Sequence, residues 1–161
     1  MLITDDLIEY FACGIDVYIA TCDDALVPES VLGMGVRALP DRRTVTAYLP
    51  NAVASRTLQN LEGRSRPHVA LTFCHPPTER ALQLKGRCVA IRPSSESDRQ
   101  LQEMFRSALI ASFAAIGVPR AQTRGLPWWP SMAIDVEVSE VFRQTPGPNA
   151  GEPLEGSILH G

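Results

Sequence analysis

The sequence predicts a mainly β protein: a small antiparallel barrel with helices at its periphery. Three observations predict it. About six segments alternate apolar with polar residues or are rich in β-branched and aromatic side chains. Turn residues join most of these segments directly, without the regular strand–helix alternation that a parallel sheet requires. The stretches with helical spacing are few and separate groups of strands rather than each pair.

Residues 4–12 read as a short helix, with Thr4 or Asp5 as cap, Leu7, Ile8 and Phe11 at helical spacing, and Gly14 as its end. Residues 15–21 follow as a strand, and Cys22-Asp23-Asp24 turns the chain. Pro28 leads a second strand through Val31, Met34 and Val36; Gly33 and Gly35 weaken it but admit the close approach of a ligand or another backbone. A turn at residues 39–43 leads to a third strand at 44–49, so these two strands are expected to form a hairpin.

Pro50-Asn51 opens a helix to Leu61, with Val53, Leu58 and Leu61 inward and Gly63 as its stop. The fourth strand runs from Pro67 to Phe73. The fifth, 80–91, puts Leu82, Leu84, Cys88 and Ala90 on one face and Gln83, Lys85 and Arg87 on the other. Ser95 with Asp98 forms a capping box for the longest helix, whose stripe is Leu101, Met104, Phe105, Ala108, Ser112 and Phe113. Gly117-Val118-Pro119 ends it. The last strand, 132–142, alternates Ile134, Val136 and Val138 inward with Asp135, Glu137 and Ser139 outward. Residues 1–143 thus form a single domain, and 144–161 a Pro/Gly-rich tail that is extended or poorly ordered.

A chain of 161 residues can bury a real core in one such domain. Its net charge of -3 gives no electrostatic case for nucleic acid or an anionic membrane. Lys85 is the only lysine among 15 basic residues, and arginine suits bidentate phosphate binding. Cys13, Cys22, Cys74 and Cys88 have no C-x-x-C spacing, residues 1–11 lack a basic segment before an apolar one, and no apolar run has membrane-spanning length. The expectation is a cytoplasmic protein with reduced thiols. Three dispersed histidines supply no metal-site spacing, so no metal is expected.

No self-sufficient catalytic constellation stands out, and the catalytic residues are left unassigned. Leu32-Gly33-Met34-Gly35 is only a fragment of a dinucleotide fingerprint. Asp23-Asp24 reads as a hairpin turn rather than a metal pair, and His68 and His75 as strand-edge residues rather than bases. The stretch from Tyr48 to Cys88 is the most suggestive. It places Ser55-Arg56-Thr57 near a helix start between strands, where free N–H groups and the positive dipole end favour an anion. An ordinary helix surface is the alternative. Trp128-Trp129 can be a stacking wall for a planar ligand, cover for the barrel mouth, or a dimer contact.

The order of these segments resembles the pyridoxamine 5'-phosphate oxidase-like family of FMN-binding split barrels. A strand ending at Tyr48 precedes Ser55-Arg56-Thr57, in the manner of that family's Ser-Arg-Lys helix start. Val69, Leu71 and Phe73 match a Val-x-Leu-x-Phe strand, and Glu79-Arg80-Ala81-Leu82 with Gly86 match a Glu-Arg-Gln-Val strand ending near glycine. The likeness covers residues 15–92, and the final strand agrees in placement. It implies a six-stranded antiparallel split barrel of Greek-key type, a homodimer with FMN in a groove between subunits, and a flavin-dependent oxidoreductase. Ser55, Arg56 and Thr57 would hold the phosphate; Gly33, Met34, Gly35, Val36 and Arg37 would lie along the ring, with Tyr48, Leu49 and Trp128 also at the cofactor.

The departures matter. Leu32 stands where the family has its first strand arginine, Thr57 replaces a lysine, and Ala81 a flavin-contacting glutamine. Each lost charge-assisted bond weakens phosphate binding by about 1.5–3 kcal/mol. The closing segment with the substrate-binding Arg and His is absent, so oxidation of vitamin B6 is not expected. The alternative is a split-barrel module that binds haem (with His68 or His75 as ligand) or a deazaflavin, or a cofactor-free dimeric interaction domain.

Overall fold

The computed structural model describes residues 3–62 and 67–154. Seven strands form one antiparallel sheet: β1 (Asp16–Cys22), β2 (Pro28–Gly33), β3 (Val36–Ala38), β4 (Thr44–Pro50), β5 (His68–His75), β6 (Arg80–Pro93) and β7 (Ser131–Arg143). Their order across the sheet is β2-β1-β5-β6-β7-β4-β3. β2 and β3 are therefore opposite edges, yet only Met34 and Gly35 separate them in the chain. The sheet must curl until its edges meet. At that seam Met34 N–H donates to Tyr48 O at 2.8 Å, and Tyr48 N–H donates to Gly35 O at 3.0 Å.

This seam explains the one difference in strand count. The expected second strand, 28–36, is two strands that bend at Met34-Gly35, so the expected six become seven. The predicted hairpin holds for its second half, where Val36, Arg37 and Ala38 pair with Ala47, Thr46 and Val45. The first half pairs with β1 instead, Val17 opposite Gly33 through Cys22 opposite Pro28.

The inward faces fill the barrel: Ile15, Ile19, Leu71, Phe73, Leu84, Leu49 and Ile134 are fully buried. Burying each such side chain contributes about 1.5–3 kcal/mol. β7 alternates as predicted, with Ile134, Val136 and Val138 in the core. β6 keeps its predicted phase only as far as a register shift between Cys88 and Ala90, after which Ile91 rather than Ala90 packs on the core. Ala90 is exposed.

Helix α1 (Asp5–Phe11) is capped by Thr4, which accepts from Leu7 N–H. A 3-10 turn at Asn51–Val53 runs into α2 (Ser55–Leu61). The expected stop at Gly63 lies outside the described residues. α3 (Glu96–Ala115) carries the predicted Ser95–Asp98 capping box, but its inward face differs from the predicted stripe. Asp98, Gln102, Phe105, Leu109 and Ser112 are buried, and Met104 is 76% exposed. A short α4 (Arg120–Arg124) follows.

The tail from Gln144 does not leave the domain at once. Gly151 N–H donates to Arg143 O, Leu154 N–H donates to Val141 O, and Leu154 packs against the core. Residues 155–161 of the expected tail lie outside the described residues. Among the described residues, no helix is long and apolar enough to cross a membrane.

Candidate functional site

Three elements enclose the cavity that bears on function. Ile8 and Phe11 of α1, Val36 and Arg37 of β3, and Leu101 and Met104 of α3 wall a space of about 530 Å³. That size is typical of small-molecule sites, as is a mostly apolar wall with a few polar groups. Among the described residues Arg37 is its only cation, joined by Ser97 and Gln100. The Arg37 Nε is buried and has no hydrogen-bond partner. A buried donor left unmatched costs free energy, so this atom calls for an acceptor.

Behind Arg37 lies a charged cluster centred on Asp98, whose side chain is 1% exposed. Its carboxylate accepts from Tyr48 Oη at 2.7 Å, Arg92 Nη1 at 2.5 Å, and Ser95 N–H at 2.8 Å. Arg37 Nη2 stands 3.6 Å away. Burial alone would raise the Asp98 carboxyl, but the bonds from Arg92, Ser95 and Tyr48 outweigh it and hold the group well below the usual carboxylate range. The Tyr48 phenol is pushed upward, by burial first and then by its bond to Asp98. Asp98 thus anchors Arg37 from behind and leaves its charge only partly neutralised.

The sequence-predicted residues separate into two groups. Val36 and Arg37 reach the cavity. Tyr48 and Leu49 are fully buried in the barrel, and Met34 is 1% exposed. The Met34 amide and the Gly35 carbonyl are both spent on the seam rather than offered to a ligand. Gly33 and Gly35 accommodate other parts of the chain: a Cβ at Gly33 would meet Tyr48 O at 3.2 Å, and one at Gly35 would meet Tyr48 Cδ2 at 2.9 Å. Of the two approaches the sequence allowed at these glycines, backbone and side-chain packing takes the space.

Ser55, Arg56 and Thr57 do not line this cavity. Thr57 is fully buried and donates to Glu29 at 3.3 Å. Arg56 lies 3.9 Å from Asp23, and Ser55 is exposed. The helical turn begins upstream of them, with Ala54 N–H already bonded to Asn51 O. Trp128 also lies away from the cavity: it packs on the core, with Arg106 5.5 Å and Arg99 6.0 Å from its ring centroid.

The cavity's α1 and α3 walls were missed because Leu101 and Met104 read as core. The series Asp98, Gln102, Phe105, Leu109, Ser112 was the available signal, since it is the truer i, i+4, i+7 row. His75 Nδ1 is 2.8 Å from Thr78 Oγ1 in an exposed turn, and His68 is exposed. Burial pushes the Cys88 thiol up to about 11, which makes it a poor nucleophile. Among the described residues, no group of His, Cys, Asp and Glu can hold a metal ion, and the cysteines are unpaired.

A flavin can be tested against these surroundings in two parts. The ring fits: the cavity is large enough, mostly apolar, and lined by the Arg37 side chain. The phosphate does not fit at 55–57, where two carboxylates already engage Arg56 and Thr57.

A curled antiparallel sheet closed at a bent edge strand defines the split-barrel class. No protein-family model matches this chain, and neither does any curated protein. Among solved structures, HupZ of Group A Streptococcus superposes with a TM-score of 0.54 at 15% identity, covering 92% of this chain and 100% of its own. An F420 reductase superposes at 0.55 with 14% identity, covering 83% and 93%. An inferred pyridoxamine 5'-phosphate oxidase from Lactobacillus delbrueckii superposes at 0.53 with 15% identity, covering 87% and 93%. The chain shares their split-barrel fold, as the resemblance in its sequence implied.

Proposed function

We propose that this chain is a flavoprotein-like split barrel that binds a planar, flavin-type ring in the α1–β3–α3 cavity and acts as an oxidoreductase in homodimeric form. The observation that carries the reading is Arg37: among the described residues, the only cation on an apolar wall of suitable size, with a buried Nε that lacks a partner. A flavin, when bound, supplies hydride or electron transfer, and the protein supplies binding and orientation. Val36, Leu101 and Met104 would exclude water from the ring faces. Arg37 would donate to a carbonyl or nitrogen at the ring edge, and its charge would favour an anionic form there. Asp98 would fix the guanidinium in place.

The shared fold with an F420 reductase and an inferred vitamin B6 oxidase supports a ring cofactor of flavin shape, whether FMN or a deazaflavin. The absorption spectrum of the purified protein, followed by titration of FMN, a deazaflavin and haemin, tests the reading. The expected result is a flavin-like band or saturable binding of a flavin-type ring, from a species of about twice the 17.6 kDa chain mass in light scattering. A Soret band would favour haem instead. A colourless dimer indifferent to all three ligands would leave the interaction domain as the reading.

A further inference from the structure

We infer that the ring is held without a phosphate anchor, so that the ligand class this chain recognises includes the dephosphorylated flavin as fully as the phosphorylated one. This rests on the ring-binding reading above. Four observations at the 55–57 corner carry it. Thr57 is fully buried and bonded to the Glu29 carboxylate, so its hydroxyl is not displayed. Arg56 already faces the Asp23 carboxylate. Among the described residues the corner therefore holds two carboxylates, Asp23 near Arg56 and Glu29 bonded to Thr57, against the single guanidinium of Arg56, and a phosphate brought there would meet like charge. The preceding 3-10 turn uses Ala54 N–H, and α2 is only a seven-residue helix.

The other end of the expected anchor is equally changed. Leu32 is a partly buried residue packed against the core, where a basic residue would have to reach solvent. Arg37, the remaining cation of the set, faces the cavity and is shared with Asp98 at 3.6 Å. The corner is thus a structural joint between α2 and the β1–β2 hairpin. Asn60 completes that joint by donating to Thr21 Oγ1 at 2.9 Å, and both residues are buried. Recognition falls to the apolar walls and the Arg37 guanidinium.

Quenching of flavin fluorescence tests this with riboflavin and FMN titrated in parallel on the full chain. The two dissociation constants are expected to agree within about threefold, because a working phosphate contact would separate them by about tenfold or more. Arg56→Ala, at a half-exposed side chain, is expected to leave both unchanged. Met104→Trp, at the exposed rim of the cavity, is expected to weaken both alike without disturbing the core. FMN binding at least about tenfold tighter than riboflavin, with the difference erased in Arg56→Ala, would overturn this inference and leave the flavin reading standing. Failure of both flavins to bind would overturn both readings. Equal binding that Met104→Trp does not weaken would remove the cavity as the site and overturn the inference as well.

Discussion

Asp98→Ala is expected to destabilise the fold by about 3–4 kcal/mol, the largest loss anticipated for any polar substitution here. The carboxylate is buried and engages four groups from three parts of the chain: Tyr48, Arg92, the Ser95 cap and Arg37. Its removal leaves the Tyr48 hydroxyl buried without an acceptor and strips the helix of its capping box. Arg37 and Arg92 keep 38% exposure each, so water partly compensates them. That places the loss toward the low end of the range for broken buried pairs, about 3–5 kcal/mol. Asp98→Asn retains an acceptor and a capping group and is expected to lose less. Urea unfolding would read the difference as a lower midpoint at unchanged slope. A midpoint unchanged by Asp98→Ala would show that the cluster contributes nothing net.

The same group sets an acid limb. Its carboxyl is held below the value it has in the unfolded chain, about 3.9. The unfolded state therefore binds the proton more readily, so the contribution of Asp98 is fully present above that value. It is lost as pH falls from about 4 toward the folded-state value. Wild-type stability is expected to fall across this window more steeply than that of Asp98→Asn, measured by thermal unfolding in parallel buffers.

Much of the architecture was legible because it depends on local pattern. The β7 alternation, the Asp23-Asp24 turn and the Ser95–Asp98 capping box all depend on neighbours within a few residues. Asp23 caps its turn through Val27 N–H at 2.9 Å, a local bond that the residue type itself suggests. What escaped the sequence depends on distant partners. A bulge after Cys88 moves Ile91 inward in place of Ala90, and it comes from matching β6 to β7. Gln102 displaces Met104 from the inward face because Ser131 Oγ donates to its Oε1 at 3.0 Å, across 29 residues of chain.

The site divides along the same line. Arg37 was legible as a cation expected along a bound ring, and it does face a cavity. The cavity itself was not, because its walls come from α1, β3 and α3, which only folding brings together. Ser55-Arg56-Thr57 matched a phosphate motif by residue type, yet Asp23 from the β1–β2 turn and Glu29 from β2 reach the same corner. Only the strand pairing reveals those carboxylates. A motif specifies which groups are nearby in the chain, and the packed sheet decides which of them remain free.

Gly35→Ala is expected to cost about 2–6 kcal/mol, from two sources that separate experimentally. Gly35 has a φ of +135°, a conformation that L side chains rarely adopt, which accounts for about 1–3 kcal/mol. A Cβ there would also stand 2.9 Å from Tyr48 Cδ2 and 3.3 Å from Gln102 Cγ, both fully buried, so overpacking adds about 1–3 kcal/mol. For a chain of this size the sum corresponds to a melting temperature lower by roughly 4–24 °C. Gly117→Ala supplies the control: its φ is +91°, but nothing lies within 4 Å of the added carbon. It should show the backbone term alone. The consequence for function follows from position, because Gly35 immediately precedes Val36 and Arg37. A Tyr48 ring pushed aside would drag on Asp98, and through Asp98 on the Arg37 guanidinium. Flavin affinity should therefore fall in Gly35→Ala even at temperatures where the variant is fully folded, while Gly117→Ala keeps it. Equal affinity in the two folded variants would mean that the barrel seam and the cavity wall are mechanically independent.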